Sequence, residues 1–123
     1  MAQLFWVGVG GAAGTVARYL VGLWALRTWG AAFPAGTVAV NLGGCLLMGI
    51  VTQLGSLPPT ARLALTTGVL GGFTTYSTFN HETLGWLEER AAGRAVAYVL
   101  LTVLGGWLTG ALGLAIGRWV SRA

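Results

Sequence analysis

The stretch Gly71-Gly72-Phe73-Thr74-Thr75-Tyr76-Ser77-Thr78-Phe79-Asn80 is the densest run of polar side chains inside an apolar window of this chain. Two glycines followed by two β-branched threonines make a poor helix interior. The Ser and Thr hydroxyls also compete for backbone hydrogen bonds. Two readings follow. Either the helix continues and the hydroxyls bond back to their own backbone, or it breaks here. A break within a bilayer frees carbonyls and amides, which are tolerated only when buried in protein or lining a cavity. Broken helices in transport proteins use such freed groups to bind ions. The residues by themselves leave both readings open.

The surroundings of this run are those of a membrane protein. Only 8% of the 123 residues are charged, against about 25% in a soluble domain. Hydrophobic residues make up 55%, and 21 glycines come in addition. Such a composition excludes a disordered chain, and it argues against a soluble one because a domain of this size cannot hide so much apolar surface. A bilayer core about 30 Å thick takes about 20 apolar residues of helix to cross. Four windows qualify: Leu4 to Leu26, Gly36 to Leu57, Leu63 to Leu87 and Ala95 to Ile116. The expected organisation is one all-α membrane domain over residues 1–123, with spans at about 4–26, 36–57, 63–87 and 95–116. Pro58 and Pro59 end the second span, and Thr60 is positioned to cap the third. The first segment lacks the basic leader of a cleaved signal peptide. Trp6, Trp24, Trp29, Trp86 and Trp119 fall near span ends and read as an interfacial belt.

The charges are informative through their placement. All seven basic residues are arginines. With an inside N-terminus, Arg62, Arg118 and Arg122 lie inside, while Arg27, Arg90 and Arg94 lie outside. Three against three leaves the positive-inside rule without a preferred orientation. Such a tie has two readings: the charges carry no orientation signal, or the chain inserts both ways and pairs antiparallel. Small residues recur at four-residue spacing in Gly10/Gly14, Gly68/Gly72, Gly106/Gly110 and Gly113/Gly117. These pairs let helices approach closely, within one chain, between chains, or both.

Several chemistries are excluded. Gly8-Val9-Gly10-Gly11-Ala12-Ala13 matches the loose dinucleotide fingerprint but lies in an apolar span with no strand before it. His81-Glu82 opens like a zinc motif, yet position 85 is Gly, so the second histidine is missing. Cys45 is the lone cysteine and reads as a packing residue. Scattered arginines do not form a nucleic-acid patch. No enzyme site is visible. Spans 1, 2 and 4 hold no carboxylate, whereas a proton-coupled exporter commonly needs a titratable acid within the membrane. A coupled exporter of the small multidrug type is one rival reading; it relies on a first-span glutamate that is absent here. A non-transporting membrane subunit is the other. It has no use for the polar groups at membrane depth: Thr37 and Asn41 one turn apart in span 2, and Tyr98 and Thr102 one turn apart in span 4.

Three motifs carry a resemblance. Gly71-Gly72-Phe73-Thr74-Thr75-Tyr76-Ser77-Thr78-Phe79 resembles the central signature of the Fluc (CrcB) family of fluoride channels. Gly11-Ala12 followed by Arg18-Tyr19 resembles its first-span motif, and Pro34-x-Gly36-Thr37-x-x-x-Asn41-x-x-Gly44 its second. The match covers essentially the whole chain.

The resemblance implies a passive fluoride-selective channel of a prokaryotic plasma (inner) membrane, exporting cytoplasmic fluoride. It implies four transmembrane helices with a broken third, in an antiparallel, dual-topology homodimer with two pores. It implies a structural, non-transported sodium ion at the dimer interface, held by backbone carbonyls that map to Gly71 and Thr74. The family's pore phenylalanines map to Tyr76 and Phe79, the first a departure from the usual Phe. An aromatic edge is partially positive and can meet an anion. Asn41 offers an amide N–H, and Ser77, Thr78, Thr37, Tyr98 and Thr102 form a polar track. Arg18 either snorkels to headgroups or faces a pore vestibule. Glu82 pairs with an arginine, shapes that vestibule, or is simply solvated.

Overall fold

A computed structural model describes residues 1–123, all of them in helices and short connections. Helix α1 spans Ala2–Trp29, α2 Ala35–Gln53 and α6 Ala92–Arg122. These three are long and apolar enough to cross a membrane. The chain between α2 and α6 is helical but interrupted. It comprises α3 (Pro59–Leu63), a π-helical segment (Ala64–Leu70), α4 (Gly71–Phe73) and α5 (Tyr76–Glu88).

Local chemistry sets the ends. Gly30 closes α1 at φ 74, a left-handed conformation that favours glycine, while its N–H bonds the Leu26 carbonyl at 2.9 Å. The second helix stops at Gln53, and Arg62 reaches back to its end, donating to the carbonyls of Thr52 (3.1 Å) and Leu54 (2.6 Å). Thr60 does not cap α3. Pro58 occupies the cap position and Pro59 the first turn, where its missing N–H costs nothing.

Packing is decided by glycines. A Cβ on Gly14 would lie 2.0 Å from the Val69 carbonyl oxygen, and one on Gly72 2.4 Å from that of Gly11. A Cβ on Gly113 would lie 2.1 Å from the Leu46 oxygen, and one on Gly49 2.5 Å from that of Gly110. Bare backbone is therefore required along both seams. The four-residue pairs Gly10/Gly14, Gly68/Gly72 and Gly113/Gly117 all pack within the chain. The contacts ascend together in number: Val7 and Gly10 meet Gly68, Gly11 meets Gly72, and Gly14 meets Phe73. So α1 runs parallel to the segment leading into α4. Leu42 meets Gly105, Leu46 Gly113 and Gln53 Gly117, so α2 runs parallel to α6.

This arrangement buries little. Only 15 of the 123 residues are buried, and Leu, Val and Trp side chains cover the outside of α1 and α6. Such a surface belongs in hydrocarbon or against another apolar chain, not in water.

Candidate functional site

The run Gly71–Asn80 is where the helical chain between α2 and α6 breaks, between α4 and α5. Thr74 is extended at ψ 159 and Thr75 at φ −150, ψ 107. Thr74 keeps its own bonds to the preceding turn, from both its N–H (3.1 Å) and its hydroxyl (3.0 Å), to the Leu70 carbonyl. Beyond it the ladder stops. The Thr74 carbonyl accepts no hydrogen bond within the chain.

Two devices hold the break open. The first is Asn41 on α2. Its Oδ1 accepts from the Thr75 N–H at 2.7 Å and its Nδ2 donates to the Thr75 carbonyl at 3.1 Å. One side chain thus satisfies both backbone groups of the extended residue, and one amide N–H of Asn41 is left over. The second is the Thr75 side chain, which caps α5: its Oγ1 accepts from the Thr78 N–H at 3.2 Å and donates to the Thr78 Oγ1 at 2.9 Å. Ser77 Oγ lies 3.5 Å from the same hydroxyl.

The residues singled out in the sequence fall into two groups around this break. Asn41, Tyr76, Phe79 and Thr102 line an apolar groove of about 860 Å³ together with Thr74 and Gly106. Tyr76 is 77% exposed there, whereas Phe79 is buried. Their rings stand 5.9 Å apart. The Thr102 hydroxyl is buried without a partner. The second group is a hydrogen-bonded trio. Glu82 accepts from the Thr37 hydroxyl at 2.8 Å and from the Tyr98 hydroxyl at 2.5 Å. Three helices, α2, α5 and α6, are tied together through this one carboxylate. Within the chain the Glu82 carboxylate faces hydroxyls.

Arg18 borders a smaller cavity of about 350 Å³ that Thr37, Thr75 and Thr78 also line. Its Nε is buried and unpartnered. A guanidinium beside three hydroxyl side chains makes this cavity electropositive, which suits an anion. Glu82 borders a separate mouth cavity of about 440 Å³ between the α1–α2 connection and α5.

Two participants are not singled out by sequence. Thr75 is one threonine among several, and nothing in its spacing distinguishes it from Thr74. Trp86 reads from its position as part of the interfacial belt, yet its ring stands edge-on to Tyr98 at 5.3 Å. Its place one helical turn after Glu82 is the available signal.

Comparison with known proteins gives a consistent picture. Residues 5–114 match the family model described as CrcB-like protein, Camphor Resistance (CrcB). The chain is 48% identical over 125 residues to a fluoride-specific ion channel FluC of Anaeromyxobacter dehalogenans, covering 98% of this chain and 99% of that one. It is 44% identical over 122 residues to the FluC of Sorangium cellulosum, covering 96% of each. It is 45% identical over 115 residues to FluC 2 of Moorella thermoacetica, covering 92% and 93%.

Proposed function

The chain belongs to the CrcB family, and from that premise we propose that it is a passive, fluoride-selective channel that lets fluoride leave the cytoplasm down its gradient. The observation that carries this reading is the clamped break: Asn41 holds Thr75 extended beside the Tyr76–Phe79 pair. Fluoride is small and strongly hydrated, so it crosses only where other donors replace its water. The free N–H of Asn41, the hydroxyls of Ser77, Thr78 and Thr102, and the ring edges of Tyr76 and Phe79 supply such donors in series. The Thr37 and Tyr98 hydroxyls extend the polar track with their protons held by the Glu82 carboxylate, and Arg18 raises the local anion concentration. Each contact is individually weak, which conduction requires, because an ion must leave as readily as it enters.

The working unit is an antiparallel homodimer in the plasma membrane, each chain crossing four times. The parallel pairing of α1 with the third segment, and of α2 with α6, supports alternating crossings. The balanced arginines support dual insertion. The large groove holding Tyr76 and the 72%-exposed Trp107 supports a second copy as its cover. A sodium ion at the interface fits the donor set: the Gly71 and Thr74 carbonyls are hard oxygens, and that of Thr74 has no partner within the chain. Bound there, it would neutralise the carbonyl dipoles of the break. No nucleotide site or carboxylate relay is needed for a leak of this kind.

Purified protein in liposomes tests the function. Fluoride-loaded vesicles are expected to release fluoride rapidly on voltage clamping with a K⁺ ionophore, while chloride-loaded vesicles retain their content. Retention of fluoride would sink the channel reading. For topology, a single cysteine introduced at the C-terminus of a Cys45-free variant is expected to be labelled by a membrane-impermeant thiol reagent from both sides of the cell membrane. One-sided labelling contradicts dual insertion.

A further inference from the structure

Trp86 and Phe33 have no place in the donor track. Trp86 also differs from the other tryptophans: Trp6, Trp24, Trp29, Trp107 and Trp119 are each at least half exposed, whereas Trp86 is half-buried. Its ring turns inward. It stands edge-on to Tyr98 at 5.3 Å and 80°, and stacks on Phe33 at 6.4 Å and 26°. Phe33, from the connection between α1 and α2, stands edge-on to Tyr98 at 6.0 Å and 81°. Phe79 approaches the same Tyr98 ring at 5.0 Å. Tyr98 is 1% exposed, boxed by three rings.

We propose that Phe33 and Trp86 are positioning residues for permeation, clamping the Tyr98 ring so that its hydroxyl stays on Glu82. The proposal rests on the channel reading above. A tyrosine hydroxyl sits at the end of a long lever, and the tilt and swing of the ring decide where it points. Edge-to-face contacts fix that tilt because the ring quadrupoles favour one relative orientation. Trp86 is one turn beyond Glu82 on α5, and Phe79 three residues before it. One helix face therefore carries both the acceptor of the Tyr98 hydroxyl and two of the rings that aim it. Phe33 and Trp86 also border both cavities at this end of the chain, the one containing Glu82 and Thr37 and the one containing Arg94 and Tyr98. Loss of either ring opens those cavities to each other and gives Tyr98 room to swing off Glu82.

The test is fluoride efflux from liposomes containing the parent, Trp86→Leu, Trp86→Phe, Phe33→Leu, Tyr98→Phe and the double variant Trp86→Leu/Tyr98→Phe. Trp86→Leu is expected to slow efflux by about fivefold or more, at unchanged elution volume and helical content. Trp86→Phe is expected to restore most of the rate, because a ring edge returns. In the Tyr98→Phe background, which has no hydroxyl to aim, Trp86→Leu is expected to add little. A parental rate for Trp86→Leu overturns the proposal. So does full additivity in the double variant, since it means that Trp86 acts independently of the Tyr98 hydroxyl. Should Trp86→Leu fail to assemble, Phe33→Leu, on a half-exposed connection, carries the same comparison. A parent that passes no fluoride overturns the channel reading itself, an outcome visible before any variant is compared.

Discussion

Asn41→Asp is expected to stop fluoride flux while leaving the helices and their assembly intact. In the native chain the two ends of the Asn41 amide match the two backbone groups of Thr75, an acceptor for its N–H and a donor for its carbonyl. Aspartate keeps the acceptor but sets a second oxygen against the Thr75 carbonyl. The donated bond becomes a repulsion, and the freed carbonyl loses its partner, a loss of about 1–3 kcal/mol for a buried polar group. The new charge adds about 3 kcal/mol at membrane depth and repels the permeating anion. At about 1.4 kcal/mol per factor of ten, the first effect is worth about fivefold or more and the second about a hundredfold, so a fall of at least about a hundredfold is expected. Efflux from liposomes measures it, with size-exclusion elution as the assembly control. A rate within about threefold of the parent would falsify the assignment of Asn41 to both break and pore.

The second large effect concerns the seam that positions the break. Gly14→Ala places a methyl 2.0 Å from the Val69 carbonyl oxygen and 2.9 Å from the Phe73 nitrogen. Both are backbone atoms, which cannot rotate aside as a side chain would. Overpacking of this kind costs about 1–3 kcal/mol, and the rigid neighbours put this case at the upper end. The thermal midpoint in detergent should drop by about 5 °C or more. Flux should fall with it, because Phe73 directly precedes the extended Thr74–Thr75 pair. Gly8→Ala is the matched control: nothing lies within 4 Å of its added methyl, so it should leave the midpoint unchanged or raise it slightly. A Gly14→Ala protein as stable as the control would mean that α1 is free to shift away from the third segment.

Much of the site is legible in spacing. Thr37 and Asn41 share one face of α2, Tyr98 and Thr102 one face of α6, and these faces do carry the polar groups around the break. The glycine–threonine run marks where a helix is weakest. What spacing does not supply is the partner of each group. Asn41 reads as a pore donor, and its bonds to Thr75 depend on how α2 rotates toward a helix more than 30 residues away. Glu82 has an arginine, solvent or a vestibule as candidates. Its hydroxyl partners come from two other helices. The π-helical turn over Ala64–Leu70 leaves no trace in the residue pattern, because its hydrophobic spacing differs too little from that of an ordinary helix over so short a stretch.

The sequence by itself determined the medium, the all-helical character and the family. Sparse charge, four apolar windows and three ordered motifs are properties of the chain that no packing could alter. It also narrowed the break to a few residues, since glycine and β-branched residues weaken a helix wherever they stand. The tertiary structure alone decided that the break happens, that Asn41 stabilises it, and that Glu82 gathers Thr37 and Tyr98. It also turned Trp86 inward among the aromatic rings. The reason is geometric. Hydropathy and spacing fix which face of a helix is polar, but not the rotation and register of one helix against another. Those are set where bare glycine backbone allows α1 to close on the third segment and α2 on α6. Once those seams close, Asn41 has Thr75 within reach and Glu82 has Thr37 and Tyr98.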